Sequence, residues 1–165
     1  MTINTYHIEL KPIQFLCSSE ETDQRHVDYL SKKIIGEGIW TTPIPCEINS
    51  GIIMDGNHRY QVAKRLNLTF LPCILLNYQD ERVKVHHQNS DQPYNIQTIF
   101  DVILHQNKLL PYKATCHYFS VDGQNSWELG GVKMRIFEGY FGKSDKIDGN
   151  WVWCCKLARK LKMTK

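Results

Sequence analysis

Little in this sequence would take it out of water. No uncharged apolar run approaches the roughly 20 residues that a membrane-spanning helix needs. The opening Met1-Thr2-Ile3-Asn4-Thr5 is not a basic end followed by an apolar stretch, so no secretion signal is expected. Six cysteines are present, yet no two form a C-x-x-C pair and none stands at zinc-site spacing from a histidine. That argues against a structural zinc centre and a dithiol redox motif. Reduced thiols in a cytoplasmic protein are then the expectation. Cys46 and Cys73 lie in apolar, strand-like runs and read as small hydrophobes, and Cys154-Cys155 reads as packing. Repeats, low-complexity tracts and long linkers are also missing. With 42% hydrophobic and 22% charged residues, a disordered or collagen-like chain is excluded.

What is present fits one domain with its own core, since the chain has 165 residues. The net charge is +3, but the excess is local: the tail 156–165 holds five basic residues and no acid. Without it, fifteen basic residues face seventeen acidic ones, a net of −2. The body is therefore not an obvious nucleic-acid surface. The tail reads first as a solvated C-terminal helix and second as a contact for an anionic partner.

The periodicities mix strands and helices. Tyr6 to Leu10 alternates as a strand ended by Pro12. After a polar loop at 17–23, Asp23 or Thr22 caps a helix to about Ile35, with Val27, Leu30 and Ile34 on one face and Gly36 and Gly38 at its end. Residues 43–55 read as a β-hairpin turning at Asn49-Ser50-Gly51, its prolines placing the first strand toward an edge. A helix from Asn57 to about Leu66 follows. Leu71 to Leu76 and Arg82 to His86 are strands, Asn95 to about Gln106 is an amphipathic helix, and His117 to Phe119 is a strand. Strands and helices without strict alternation predict an α+β fold. Beyond Ser120 the pattern suggests irregular strands and a short terminal helix. His86-His87 is a weak metal pair, because neighbouring strand residues point to opposite faces.

Chemistry concentrates at Ile52-Ile53-Met54-Asp55-Gly56-Asn57-His58-Arg59-Tyr60. A buried strand delivers Asp55, Gly56 permits a sharp turn, and a helix opens at Asn57. Its unpaired N–H groups make an anion site, to which His58 and Arg59 add side-chain donors. Asp55 beside a phosphate calls for a cation between them, and Mg²⁺ suits. Read by spacing alone, Asp55 and Asn57 are first of all helix caps. In the loop before the first helix, nothing in the residues separates Glu20 from Glu21.

The run Asp55 to Ala63 resembles the nucleotide motif of the ParB/sulfiredoxin-like superfamily, and more narrowly the D-G-H-H-R motif of free serine kinases. Leu10-Lys11-Pro12, Ser19 to Arg25, Gly36 to Trp40, Asp80 to Val85 and Lys113-Ala114-Thr115-Cys116-His117 match these kinases in order and spacing. Sulfiredoxin carries its catalytic Cys where Asn57 stands, and ParB a G-E-R-R motif where His58 stands, so the kinase branch is nearer. Departures from it are Asn57 for the first His, Gln88 for an aromatic residue, and Ala114 and Cys116 within a K-T-T-R-H segment.

The resemblance implies a mixed small sheet packed with helices over residues 1–120, with 121–165 as an extension packed on the same domain. It implies phosphoryl transfer from ATP or ADP to the hydroxyl of free L-serine. It places Glu20 as catalytic base, Asp55 as a catalytic residue and Mg²⁺ partner through the nucleotide, and Gly56, Asn57, His58 and Arg59 on the phosphates. Arg25, Thr115 and His117 fall at substrate-binding positions. The expected partners are a nucleotide and a small hydroxyl-bearing substrate, without a membrane and without nucleic acid. The alternative is a non-catalytic ParB-like nucleotide-binding regulator or DNA-binding protein.

Overall fold

Alternating apolar positions and well-placed caps set most of the elements. The structure is a computed structural model that describes residues 8–121 and, beyond them, the backbone of strands at 124–125, 133–137, 145–147 and 150–156. In chain order these are β1 (Ile8–Pro12), a 3-10 turn (Ile13–Phe15), α1 (Gln24–Glu37), β2 (Ile39–Trp40), β3 (Ile44–Glu47), α2 (Asn57–Arg65), β4 (Phe70–Leu76), β5 (Val83–His87) and α3 (Ile96–Phe100). A π-helical turn (Asp101–His105) extends α3, and then come β6 (Thr115–Val121), β7 (Gln124–Asn125), β8 (Lys133–Phe137), β9 (Asp145–Ile147) and β10 (Asn150–Lys156). The strands form three sheets, ordered β1-β4-β3, β2-β8-β10-β9 and β5-β6-β7. The fold is α+β, as expected.

β4 is the centre. It runs antiparallel to β1 and parallel to β3. Its side chains alternate between two cores. Leu71 and Cys73 face Val27, Trp40, Val62 and Ala63 on the side of α1 and α2. Ile74 and Leu76 face Val85, Ile99, Ile103 and Phe119 on the side of α3, β5 and β6. Asp23 caps α1 by accepting the Arg25 N–H at 2.9 Å, and Gly38 ends it in the left-handed region at φ 61°. Val27, Ser31 and Ile34 are the buried stripe of this helix.

The 43–55 segment turns back on itself as expected, but its second arm is only the bridged residues Ile52 and Ile53 and not the strand expected to deliver Asp55. Cys46 pairs antiparallel with Ile53, and Glu47 N–H bonds Ile52 O at 2.8 Å. β3 is the edge of its sheet, as its prolines suggest, but it is wholly buried because Ile52 and Ile53 cover its outer side. Ile52 also pairs with Cys17, drawing the following loop toward α2.

Two readings need correction. The helix expected to run on to about Gln106 is α-helical only to Phe100, capped by Asn95. The π-turn that follows shifts the register, so Ile103 stays buried while Leu104 is 45% exposed. The strand expected at His117 to Phe119 is longer, running from Thr115 to Val121. The expected terminal helix and most of the basic tail lie outside the described residues, as does Tyr6. No helix among the described residues is long and apolar enough to cross a membrane.

Candidate active site

Gly56 holds the turn into α2 in the left-handed region, at φ 98°. A Cβ there would lie 2.8 Å from Arg59 Nη2, so glycine lets the guanidinium fold back across the turn. The first bond of the helix runs from Tyr60 N–H to Gly56 O, at 2.9 Å. The N–H groups of Asn57, His58 and Arg59 are therefore left without intrahelical acceptors, at the positive end of the helix dipole.

The loop before α1 is clamped to this helix end. Ser19 is buried and donates its hydroxyl to Ile53 O at 2.6 Å. Asn57, also buried, accepts the Ser19 N–H at 2.9 Å and the Glu20 N–H at 3.5 Å, and donates to Ser19 Oγ at 3.0 Å. From the other side, Leu110 N–H bonds Ser19 O and Glu21 N–H bonds Leu110 O, both at 2.9 Å.

So held, the half-buried Glu20 turns its carboxylate to the start of β6. Its Oε1 accepts the Thr115 N–H at 2.8 Å and the Thr115 hydroxyl at 2.5 Å. Burial pushes the Glu20 carboxyl above its ordinary value; the Thr115 hydrogen bonds pull it back, and the Asp55 charge adds to the rise. Glu21 is exposed. The tertiary structure thus separates two acids that the sequence left equivalent.

A cleft of about 510 Å³ opens over the helix end. Glu20, Asp55, Gly56, Asn57, His58, Arg59, Thr115 and His117 all line it, together with Gln88 and Cys116. Arg25 is not among its lining residues; it lies exposed on the first turn of α1. Sequence reasoning assigned nothing to His26 and Tyr112, and gave Lys113 no role beyond its place in the matched 113–117 segment; all three also line the cleft. His26 comes from α1 and Tyr112 from the loop before β6, and no motif marks either.

The side chains expected to donate to an anion hold other posts. Arg59 Nη1 donates to Thr42 O and Pro43 O, each at 3.0 Å, and Nη2 pairs with Asp55 Oδ2 at 3.1 Å. This guanidinium fastens the chain entering β3 to the helix. His58 Nε2 accepts the Asp23 N–H at 3.0 Å, and its ring meets His26 and Tyr112 edge-on at 4.8 and 5.7 Å. Burial first, and then the neighbouring His26, lower its pKa, so it stands as a neutral acceptor joining α1 to α2. The Asn57 amide is engaged with Ser19 and Glu20, as described. Donors toward an anion are therefore chiefly the backbone N–H groups of the first helical turn.

The donor set suits Mg²⁺ carried on a nucleotide. That ion is usually held by one or two carboxylates plus phosphate oxygens. Asp55 is exposed with Oδ2 on Arg59, and Glu20 is near enough for their charges to interact. Among the described residues no group of three or more His, Cys, Asp or Glu could hold a metal alone.

His117 is buried, and that burial pushes its pKa from 6.5 down to about 3. Below pH 6.5 the unfolded chain takes up a proton that the folded chain refuses. Stability that is complete above pH 6.5 is then lost as pH falls toward 3. His58 acts in the same sense and Glu20 in the opposite one. We expect His117 to cost about 2 kcal/mol between pH 7 and pH 5. Urea unfolding at the two pH values checks this, and His117→Asn should flatten the difference.

No family model matches the chain. An ATP-dependent L-serine kinase of Staphylothermus marinus is 35% identical over 86 residues, which are 48% of this chain and 34% of that protein. A ParB-like protein of Sulfolobus acidocaldarius is 40% identical over 47 residues, 28% of this chain and 24% of the other. The chain thus spans about a third or less of the curated relatives it matches. Among solved structures, SbnI with a C-terminal truncation, from Staphylococcus aureus, superposes with a TM-score of 0.55 at 12% identity, covering 72% of this chain and 84% of its own. That likeness is one of fold. By sequence the chain is thus similar, over part of its length, to a serine kinase and to a ParB-like protein.

Proposed function

We propose that the chain is a small-molecule kinase that moves a phosphoryl group from ATP or ADP to the hydroxyl of free L-serine, giving O-phospho-L-serine. The observation that carries this reading is the placement of Glu20. A half-buried carboxylate with a raised pKa, clamped through Ser19 and Asn57, shares a cleft with the unpaired N–H groups of α2.

In this reading the α2 N-terminus binds the terminal phosphate. Glu20 accepts the proton as the serine oxygen attacks phosphorus, and the bond to the nucleotide's bridging oxygen breaks, releasing the shortened nucleotide. The raised pKa narrows the gap between base and alcohol, which favours proton transfer. Asp55 would hold Mg²⁺, which supplies neutralisation of the phosphate charge when bound. Arg59 keeps Asp55 oriented. Thr115 fixes the carboxylate of Glu20, and His117 faces the substrate from the same strand. Residues 1–120 are the kinase-like domain in this proposal, and 121–165 an extension packed on it. The pairing of Ile39 with Arg135 and of Trp40 with Met134 supports that packing.

The ParB-like relative keeps a second reading in view, a nucleotide-binding regulator or DNA-binding protein without turnover. Incubation with Mg²⁺, ATP or ADP and a pool of hydroxyl-bearing metabolites, read by mass spectrometry, separates the two. The kinase yields phosphoserine. Bound nucleotide with no phosphorylated product, together with salt-dependent DNA affinity, gives the second reading.

A further inference from the structure

Tyr78 follows β4 and is buried, its ring packed edge-on against Phe100 at 5.5 Å. Its hydroxyl lies 3.1 Å from His117 Nε2, and no other hydrogen bond of either side chain occurs among the described residues. A buried hydroxyl has one proton and needs an acceptor for it. If Nε2 carried the imidazole proton, the tyrosine oxygen would accept it and its own O–H would be stranded against apolar neighbours. If Nε2 accepts instead, that O–H is satisfied and the imidazole proton sits on Nδ1. Nδ1 has no partner among the described residues and is not one of their sealed, unbonded polar atoms, while His117 lines the cleft. A histidine more than nine-tenths buried therefore keeps one free nitrogen with access to the cleft that Glu20 also lines.

We propose that Tyr78 is a positioning residue that locks His117 as the Nδ1–H tautomer, so that His117 presents a neutral donor to an anionic oxygen of the bound substrate. In this role His117 is neither a base nor a cation. It marks the carboxylate or phosphoryl oxygen of the ligand, and Glu20 alone takes the proton. The part that concerns substrate rests on the kinase reading; the tautomer does not.

The test is side-chain ¹⁵N NMR of the full chain at pH 7. The expected signature is a protonated Nδ1 and an unprotonated, hydrogen-bonded Nε2 on His117. Tyr78→Phe should abolish the lock and give mixed tautomers. L-Serine alone or ADP alone should shift Nδ1, and the one that does identifies the oxygen as carboxylate or phosphoryl. In turnover, Tyr78→Phe should lower kcat about 5- to 30-fold with the nucleotide KM unchanged. His117→Asn, whose amide N–H can replace Nδ1–H, should keep activity within about tenfold of wild type, while His117→Gln should lose more. A wild-type His117 protonated on Nε2, or an Nδ1 that neither ligand moves, overturns the inference even if phosphoserine is formed. Absence of phosphoserine with the Nδ1–H signature intact overturns the kinase reading and leaves the tautomer standing.

Discussion

Glu20→Gln is expected to slow phosphoryl transfer by about 10²–10⁴-fold, the usual contribution of a general base. The amide keeps the shape of the side chain, and its oxygen can still accept the Thr115 N–H and hydroxyl that hold Glu20 in place. The fold should therefore survive, with an unchanged urea midpoint. Nucleotide affinity should hold or rise slightly, because a negative charge close to Asp55 is removed. What the variant lacks is a group able to take the proton of the acceptor hydroxyl. Glu37→Gln, at the exposed C-terminal end of α1, is the control and should be silent. Steady-state kinetics with L-serine and ATP or ADP read the effect. A Glu20→Gln enzyme as fast as wild type would remove Glu20 from the chemistry.

The second large effect is expected at Asn57, where the side chain acts on architecture rather than on phosphate. Its amide joins the first residue of α2 to Ser19 and Glu20. Asn57→Ala leaves the buried Ser19 N–H without its acceptor, a loss of about 1–3 kcal/mol in stability. It also releases the loop that carries Glu20, and a misplacement near 1 Å at a reacting group can cost roughly 100-fold in rate. The expected result is a lower urea midpoint together with a kcat reduced by about that factor. Asn57→Asp separates the two effects. It retains an acceptor for Ser19 N–H and so keeps most of the stability, but it adds a negative charge beside Glu20 and the phosphate site and should weaken nucleotide binding. Wild-type stability and turnover in Asn57→Ala would show that the clamp is not needed.

The resemblance to free serine kinases directed attention to positions 20, 55–59, 115 and 117. All of them line one cleft, although they come from a loop, a turn, a helix and a strand far apart in the chain. The sequence missed what those side chains do for one another. Asn57, His58 and Arg59 carry donor or acceptor groups that any motif reading aims at the phosphate. In the fold, their side chains bind Ser19 and Glu20, Asp23, and the Thr42 and Pro43 carbonyls. Their partners stand 16 to 38 residues away in sequence, so no local pattern could indicate them. Arg25, in the matched run, lies outside the cleft lining because the Asp23 cap starts the helix and leaves Arg25 on its exposed first turn.

The sequence by itself determined the local elements. Asp23 as a cap, Gly38 as a stop, the Asn49-Ser50-Gly51 turn and the apolar run of β4 are short-range matters of backbone geometry and hydrophobic content, and each is where the pattern put it. Glu20 and Glu21 both line the cleft, and it was a tertiary decision that Glu20 is the half-buried one, held by the hydrogen bonds of Thr115, which is 95 residues away. So was the neutral state of His117, which follows from burial beside Tyr78. Both depend on desolvation and on partners brought together from distant segments, and a protonation state is a property of that environment rather than of the residue that carries it.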